Sequence, residues 1–376
     1  MLITTSIILS GCWDSVEIND RYIILELAID KNQIVDPLEK PAERDRYKVT
    51  YSIPDISKLS GSESLLEDVK NIIKVSSPSI VASIDDLEAK TQNTVTFSHT
   101  KALILGEELI KDKKLFKAAI DSITRKRFLA RSTPIFATKE TAGKIVETNN
   151  PQNPIIGLYV MKYVNNIERP ISYAKEQLLG NFIKEMEGSK ISIIPLLSVD
   201  KDNQLSISSG ALIKDYELIT FLDKDVTRGQ LLVQGEVKEA PIVIMYHNEY
   251  LTYVVKKQKS SMKFKEKDGR MVCEIEVMLK GNIVEYVSDE DRNIFDKGNI
   301  QEAEKLLEKE VVAQAQAALN ASKAYNIDFL KIGKMFYRKH PKKWQRYKDT
   351  WESAGFKEFP VEITAKVDVD GTGVLE

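Results

Sequence analysis

Apolar and polar residues alternate through Met271, Cys273, Ile275, Val277 and Leu279, the period of a strand with one buried face. Just upstream, MKFKEKDGRMVCEI carries Asp268-Gly269, the two-residue signal of a type I′ hairpin. That turn sets Lys267 opposite Arg270 and Phe264 opposite Cys273, so both apolar residues share a face. The same period marks Tyr47, Val49, Tyr51 and Ile53 as a half-buried antiparallel strand, and Val361, Ile363, Ala365, Val367 and Val369 as a closing one. YIILELAIDK, KISIIPLLSVD, LSISSGALIKD, YELITFLD, GQLLVQGEV, PIVIMY and LTYVVKKQKS read as further strands. TKALILGEEL and TPIFATKETAGKIVETNN each read as a strand passing into a helix.

Helical spacing appears at Leu115, Ala119 and Ile123, and again in SYAKEQLLGNFIKEME. LSGSESLLEDVKNIIKVSS is polar at first and then helical in pattern. SIDDLEAKTQN predicts a short helix with Ser83 as its N-cap. The longest helix signal is IQEAEKLLEKEVVAQAQAALNASKAYN, where Ala303, Leu306, Leu307, Glu310 or Val311, and Ala315 recur among strong helix formers.

Helices and strands mix up to residue 202, and strands dominate after DKDNQ. The fold class is therefore α+β: multi-domain, with mixed and antiparallel sheets, packed helices, and a sheet-rich C-terminal half carrying one long helix. The expected division is a cleaved signal segment at 1–11, an N-terminal α+β region at 12–202 with room for two subdomains, and a C-terminal α+β domain at 203–376. No internal repeat or low-complexity tract is present.

Composition adds exclusions. The 376 residues are 43% hydrophobic and 29% charged, with 54 Lys+Arg against 56 Asp+Glu, a net charge of −2. That balance lacks the basic excess of a general nucleic-acid binder. No run approaches the roughly 18 apolar residues of a membrane span. His99, His247 and His340 form no metal-ligand spacing, and no phosphate-loop, dinucleotide or nucleophile-elbow motif occurs, so neither cofactor nor metal is expected.

The first eleven residues, MLITTSIILSG, carry no charged side chain and have the length of a signal h-region. Leu9-Ser10-Gly11-Cys12 fits a bacterial lipobox, in which small residues admit the peptidase and the thiol takes a diacylglycerol thioether. Cys12 is the expected lipid attachment site, its acyl chains anchoring the mature chain to a membrane. No Lys or Arg precedes it; either the initiator amine is the only positive charge there or the chain starts further upstream. Cys273 reads as a buried, inert thiol.

One local charge anomaly stands out. Arg338, Lys339, Lys342, Lys343, Arg346 and Lys348 fall within eleven residues, with Trp344, Tyr347 and Trp351 on one face of a helix after Pro341. Two readings compete: a basic surface with an aromatic anchor, centred on Lys342, Lys343 and Arg346, or a solvated helix face whose aromatics pack into the core.

Four segments together resemble one family. GCWDSVEINDRYIILELAIDK carries Cys12, Trp13, Asp14, Glu17, Asn19, Asp20 and Asp30. HTKALILGEELIKD carries His99, Lys101, Gly106, Glu107 and Glu108. SGALIKDYELITFLDKDVTRGQLLV carries Gly210, Leu222, Thr227, Arg228 and Gly229. NIDFLKIGKMFYRKHPKKWQRYKDTWESAGF carries Asp328, Gly333, Pro341, Trp344 and Trp351. In order and over nearly the whole chain, these resemble the Ger(x)C spore-germination lipoproteins, the C subunits of nutrient germinant receptors. The first strand departs from the family's glycine-rich ending, with Glu26 and Ala28 at more flexible positions. The resemblance implies a three-domain α+β lipoprotein on the outer face of the spore inner membrane. It also implies assembly with A and B receptor subunits and no enzymatic activity. A solute-binding lipoprotein feeding a transporter is the alternative, and it would show two similar α/β lobes around a cleft. A membrane-anchored hydrolase would need a catalytic constellation that no motif supplies.

Overall fold

The computed structural model describes residues 21–33, 44–55, 69–166, 168–286, 294 and 296–372. Cys12 and its neighbours Trp13, Asp14, Glu17, Asn19 and Asp20 lie outside the described residues. Strands β1 (Arg21–Ile23) and β5 (Thr94–Thr96) form a small parallel pair. The main sheet draws on β2 (Glu26–Lys31), β3 (Tyr47–Pro54), β4 (Lys70–Ser77), β6 (Ala102–Gly106), β7 (Ile135–Thr138), β8 (Ile191–Val199), β9 (Leu205–Lys214) and β10 (Glu217–Leu222). Its order is β10-β9-β8-β7-β6-β2-β3-β4, parallel through the centre and antiparallel at both ends.

Helices cover both faces of that sheet. Helix α1 (Ile80–Glu88), α2 (Glu107–Lys111), α3 (Lys113–Lys126) and α6 (Leu179–Glu187) enclose a core with Leu27, Ile29, Leu103 and Leu105. On the other face, α4 (Ala142–Glu147) and α5 (Ile156–Asn165) pack over Ala28, Ile104 and Phe136. Strands covered twice need apolar residues at every position, which is why β6 reads ALILG and is buried throughout. The same coverage corrects the half-buried reading of β3, where Thr50 and Ser52 are buried along with the four alternating apolar residues.

The second sheet has the order β11-β12-β13-β14, built from β11 (Pro241–Tyr246), β12 (Glu249–Lys267), β13 (Arg270–Tyr286) and β14 (Val361–Thr372). β14 joins parallel to β13 and the rest is antiparallel. The expected hairpin register holds: Lys267 faces Arg270 and Phe264 faces Cys273, with Asp268 and Gly269 at φ 50° and 74°. The long helix α8 (Lys297–Ala324) lies on this sheet together with α7 (Lys224–Gln234). Helices α9 (Ile332–Lys339), α10 (Pro341–Trp344) and α11 (Phe356–Glu358), with a π-turn at Trp351–Gly355, close the far end. The molecule is thus α+β and multi-domain, with mixed and antiparallel sheets.

Three local expectations need correction. The segment at 70–77 is strand β4, because KNIIKVSS pairs residue by residue with β3. Ser79, not Ser83, caps α1 by accepting from the Ala82 N–H at 3.1 Å. Ser83 is buried one turn in, where its hydroxyl bonds back to the Ile80 carbonyl at 2.7 Å and meets the Tyr51 hydroxyl at 2.6 Å. GQLLVQGEV is mostly α7, started by the Asp223 carboxylate on the Val226 N–H and ended by Gly235 at φ 75°. The turn at 200–204, where strands begin to dominate, joins β8 to β9 within the main sheet, which therefore continues across it.

Candidate functional site

Several of the signature residues are joints between elements. Asp30 lies near the end of β2 beneath α4, and its two carboxylate oxygens accept from the N–H groups of Ala142 (2.7 Å) and Gly143 (2.9 Å). Burial pushes its carboxyl above the ordinary range, while those N–H groups pull it back. Gly106 lies so close that a Cβ there would sit 2.0 Å from Asp30 Oδ1, so the position has no room for a side chain. Asp328 repeats the device at α9. Its oxygens accept from Ile332 N (2.9 Å), Gly333 N (2.6 Å) and the Trp351 indole (3.3 Å). A Cβ on Gly333 would meet that indole nitrogen at 2.6 Å. Gly229 lets α7 touch α8: a Cβ would come 2.0 Å from the Gln314 carbonyl. Neighbouring Arg228 is buried, stacks on Tyr173 with its guanidinium 5.3 Å from the ring centroid, and donates to the Pro241 carbonyl.

A third joint escaped the sequence reading. Glu26 is fully buried and accepts from the Gly157 N–H at 2.5 Å. Beside it, the buried Lys70 ammonium donates to three backbone carbonyls, Val146, Thr148 and Pro154, each at 2.7 Å. Burial lowers the Lys70 pKa to about 8 and raises that of Glu26; their mutual attraction works against both shifts. A charged residue breaking the apolar run from Ile23 to Ile29 was the signal for Glu26, and its partner is 44 residues away in sequence.

A cleft of about 950 Å³ opens between the α6–β8 end of the main sheet and the helices after residue 325. One wall carries a closed polar network. Gln177 donates to Glu185 and Ser192, and Ser192 donates to Glu185, all at 2.7 Å. Lys331 from the opposite wall pairs with Glu185 at 2.9 Å, so an ion pair bridges the cleft. Trp344 of the basic-aromatic segment and the exposed Tyr337 just before it also line it. The two sides are unlike: an eight-stranded mixed sheet faces a four-stranded sheet with its helices.

The aromatics of that segment point inward. Trp351 is buried, and Trp344 and Tyr347 are half-buried against the C-terminal core. Trp344 and Trp351 lie with ring centroids 5.0 Å apart, and Phe336 meets Trp344 at 5.6 Å. Lys342, Lys343 and Arg346 are exposed. Lys343 pairs with Glu266 at 2.8 Å on the β12–β13 hairpin, and Lys339 donates to the Met262 carbonyl. Inward aromatics and outward cations therefore coexist on one segment.

The chemistry available is limited among the described residues. No group of three or more His, Cys, Asp and Glu side chains is placed to hold a metal ion, and no helix is long and apolar enough to cross a membrane. Burial pushes the Cys273 thiol up to about 12, which leaves it unreactive at neutral pH. His99 is exposed, His247 pairs with Glu302 at 3.1 Å, and His340 packs edge-on to Phe264 and Phe336.

The family model described as Spore germination protein N-terminal domain matches residues 14–199. The model described as Spore germination B3/GerAC like, C-terminal, matches residues 208–373. The chain is 22% identical over 412 residues to spore germination protein KC of Bacillus subtilis (strain 168), covering 100% of this chain and 95% of that one. It is 22% identical over 380 residues to spore germination protein B3 of the same organism, covering 97% and 95%. The crystal structure of the GerBC protein shares its fold, with a TM-score of 0.59 and 20% identity over 91% of this chain and 96% of that one.

Proposed function

The chain belongs to the Ger(x)C spore-germination family, and from that premise we propose that it is a membrane-tethered, non-catalytic subunit of a nutrient germinant receptor. In this reading lipid on Cys12 holds the body at the outer face of the spore inner membrane, beside A and B subunits. The observation that carries the proposal is the use made of the signature residues. Asp30, Gly106, Asp328, Gly333 and Trp351 cap and seat helices, which fits a body whose task is to hold a shape for neighbours to bind. Tethering confines that body to the membrane plane and raises the effective concentration for weak subunit contacts.

Deletion of the gene in the spore-former that carries it tests the receptor role. Spores should respond more slowly, or not at all, to at least one nutrient, and complementation should restore the response. Unchanged germination with every nutrient would refute it. The tether is tested separately by Cys12→Ala, which should abolish metabolic lipid labelling and move the protein out of the membrane fraction. Lipid labelling that survives the substitution would show that Cys12 is not the acceptor.

A further inference from the structure

The four edges of the two large sheets are not alike. Edge strand β4 carries the exposed Lys74, β10 carries Glu217, and β14 carries Glu362, Lys366, Asp368 and Asp370. Charged side chains on an edge discourage strand addition. Strand β11, PIVIMY, carries none. Its outward side chains are apolar and open: Val243 is 51% exposed and Met245 54%. Tyr250, directly opposite Met245 on β12, is 63% exposed, and Val284 of β13 is 52% exposed on the same part of the sheet. Clusters of exposed apolar residues mark contact surfaces, whereas scattered ones do not.

The backbone specifies the partner further. His247 and Asn248, at φ 48° and 66°, form a type I′ turn that makes Tyr246 and Glu249 a hydrogen-bonded pair. The alternation of antiparallel pairing then turns the N–H and C=O groups of Val243 and Met245 away from β12. No hydrogen bond from another described residue reaches them. Pro241, next in the alternation, has no N–H, and its carbonyl is taken by Arg228. The open edge is therefore two residues long and symmetric about Ile244. It matches an antiparallel copy of itself, with Val243 facing Met245 of the second copy and the reverse. The nearest acid before the strand, Glu239, is neutralised by Lys256 at 2.7 Å.

We propose that β11 is a self-association edge, at which two copies of this chain join their four-stranded sheets into one continuous sheet. The inference is independent of the receptor reading. The full chain carrying Cys12→Ala, which leaves the buried Cys273 as its one cysteine, should sediment as a concentration-dependent monomer–dimer mixture. Hydrogen exchange at residues 241–246 should slow as the dimer fills. Val243→Lys, which sets a charge against Met245 of the second copy and the two new lysines diagonal to each other across the joint, should weaken association at least about tenfold. Met245→Pro removes one outward N–H at a position where an edge strand tolerates proline, and should do the same without lowering the melting temperature. A monomer at every concentration overturns the proposal, as would occur if the edge served another protein's strand. A dimer whose exchange at 241–246 is unaltered, or which survives both substitutions, also overturns it.

Discussion

Lys70 shows how a single side chain can organise a loop. Its ammonium bonds three carbonyls drawn from residues 146–154, and burial holds its pKa near 8 against an ordinary 10.5. A base whose folded pKa lies below its unfolded value makes the folded state bind fewer protons between those two values. Stability from this group therefore rises as pH climbs from about 8 to 10.5, and below 8 the charged form carries its full burial cost. Denaturant melts of the wild type and Lys70→Met across that range should diverge in the wild type's favour by about 3 kcal/mol. Parallel pH profiles would mean that Lys70 does not titrate as its surroundings imply. Little of this was legible in the sequence, because the three acceptors are backbone atoms and backbone atoms leave no residue-type signal.

At the scale of elements, local pattern succeeded where period and turn chemistry agreed. The β12–β13 hairpin was legible to the residue because Asp268-Gly269 and the alternation of Phe264 with Cys273 demand one register. Helix α7 was misread because its apolar run, LLV, fits either period. Its caps, Asp223 and Gly235, carried the deciding information. Strand β4 was misread because pairing with β3 overrides a mixed local pattern. Glycine positions reveal a constraint that sequence could flag but not explain. Gly229→Ala should destabilise the protein by about 1–3 kcal/mol, since the clash with the Gln314 carbonyl outweighs the gain in helix propensity. Gly298→Ala, in α8 with nothing within 4 Å, should stabilise by up to about 1 kcal/mol. Thermal melts of the two variants should therefore shift in opposite directions. The basic-aromatic segment separates in the same way. Trp351→Ala should cost about 3–5 kcal/mol as a core deletion. Combined charge reversal at Lys342, Lys343 and Arg346 should leave melting within about 0.5 kcal/mol per site. Normal germination in that charge-reversed strain would make the segment a solvated face and nothing more.

Across the whole molecule, the second half of β9 serves two cores. On β9, Ala211 and Ile213 face the N-terminal core with Phe116, Phe182 and Tyr216, while Leu212 between them faces the core beneath α8. Alternation along a strand thus ties two bodies together without a linker. A chain ending at residue 202 loses β9 and β10 and bares the edge of β8. It should be recovered mainly as aggregate, whereas a chain ending at residue 222 keeps all eight strands and should stay soluble to a greater degree. Equal solubility of the two fragments would show that the last two strands are dispensable to the main sheet.

An ammonium ringed by three carbonyls has the coordination of a trapped monovalent cation, yet here the cation is spliced into the polypeptide at Lys70. It has no dissociation constant and no exchange with the medium. Dialysis, chelators and changes of salt cannot empty the site. Salt does not displace this tether from the segment it gathers, and its charge is lost as pH rises past about 8.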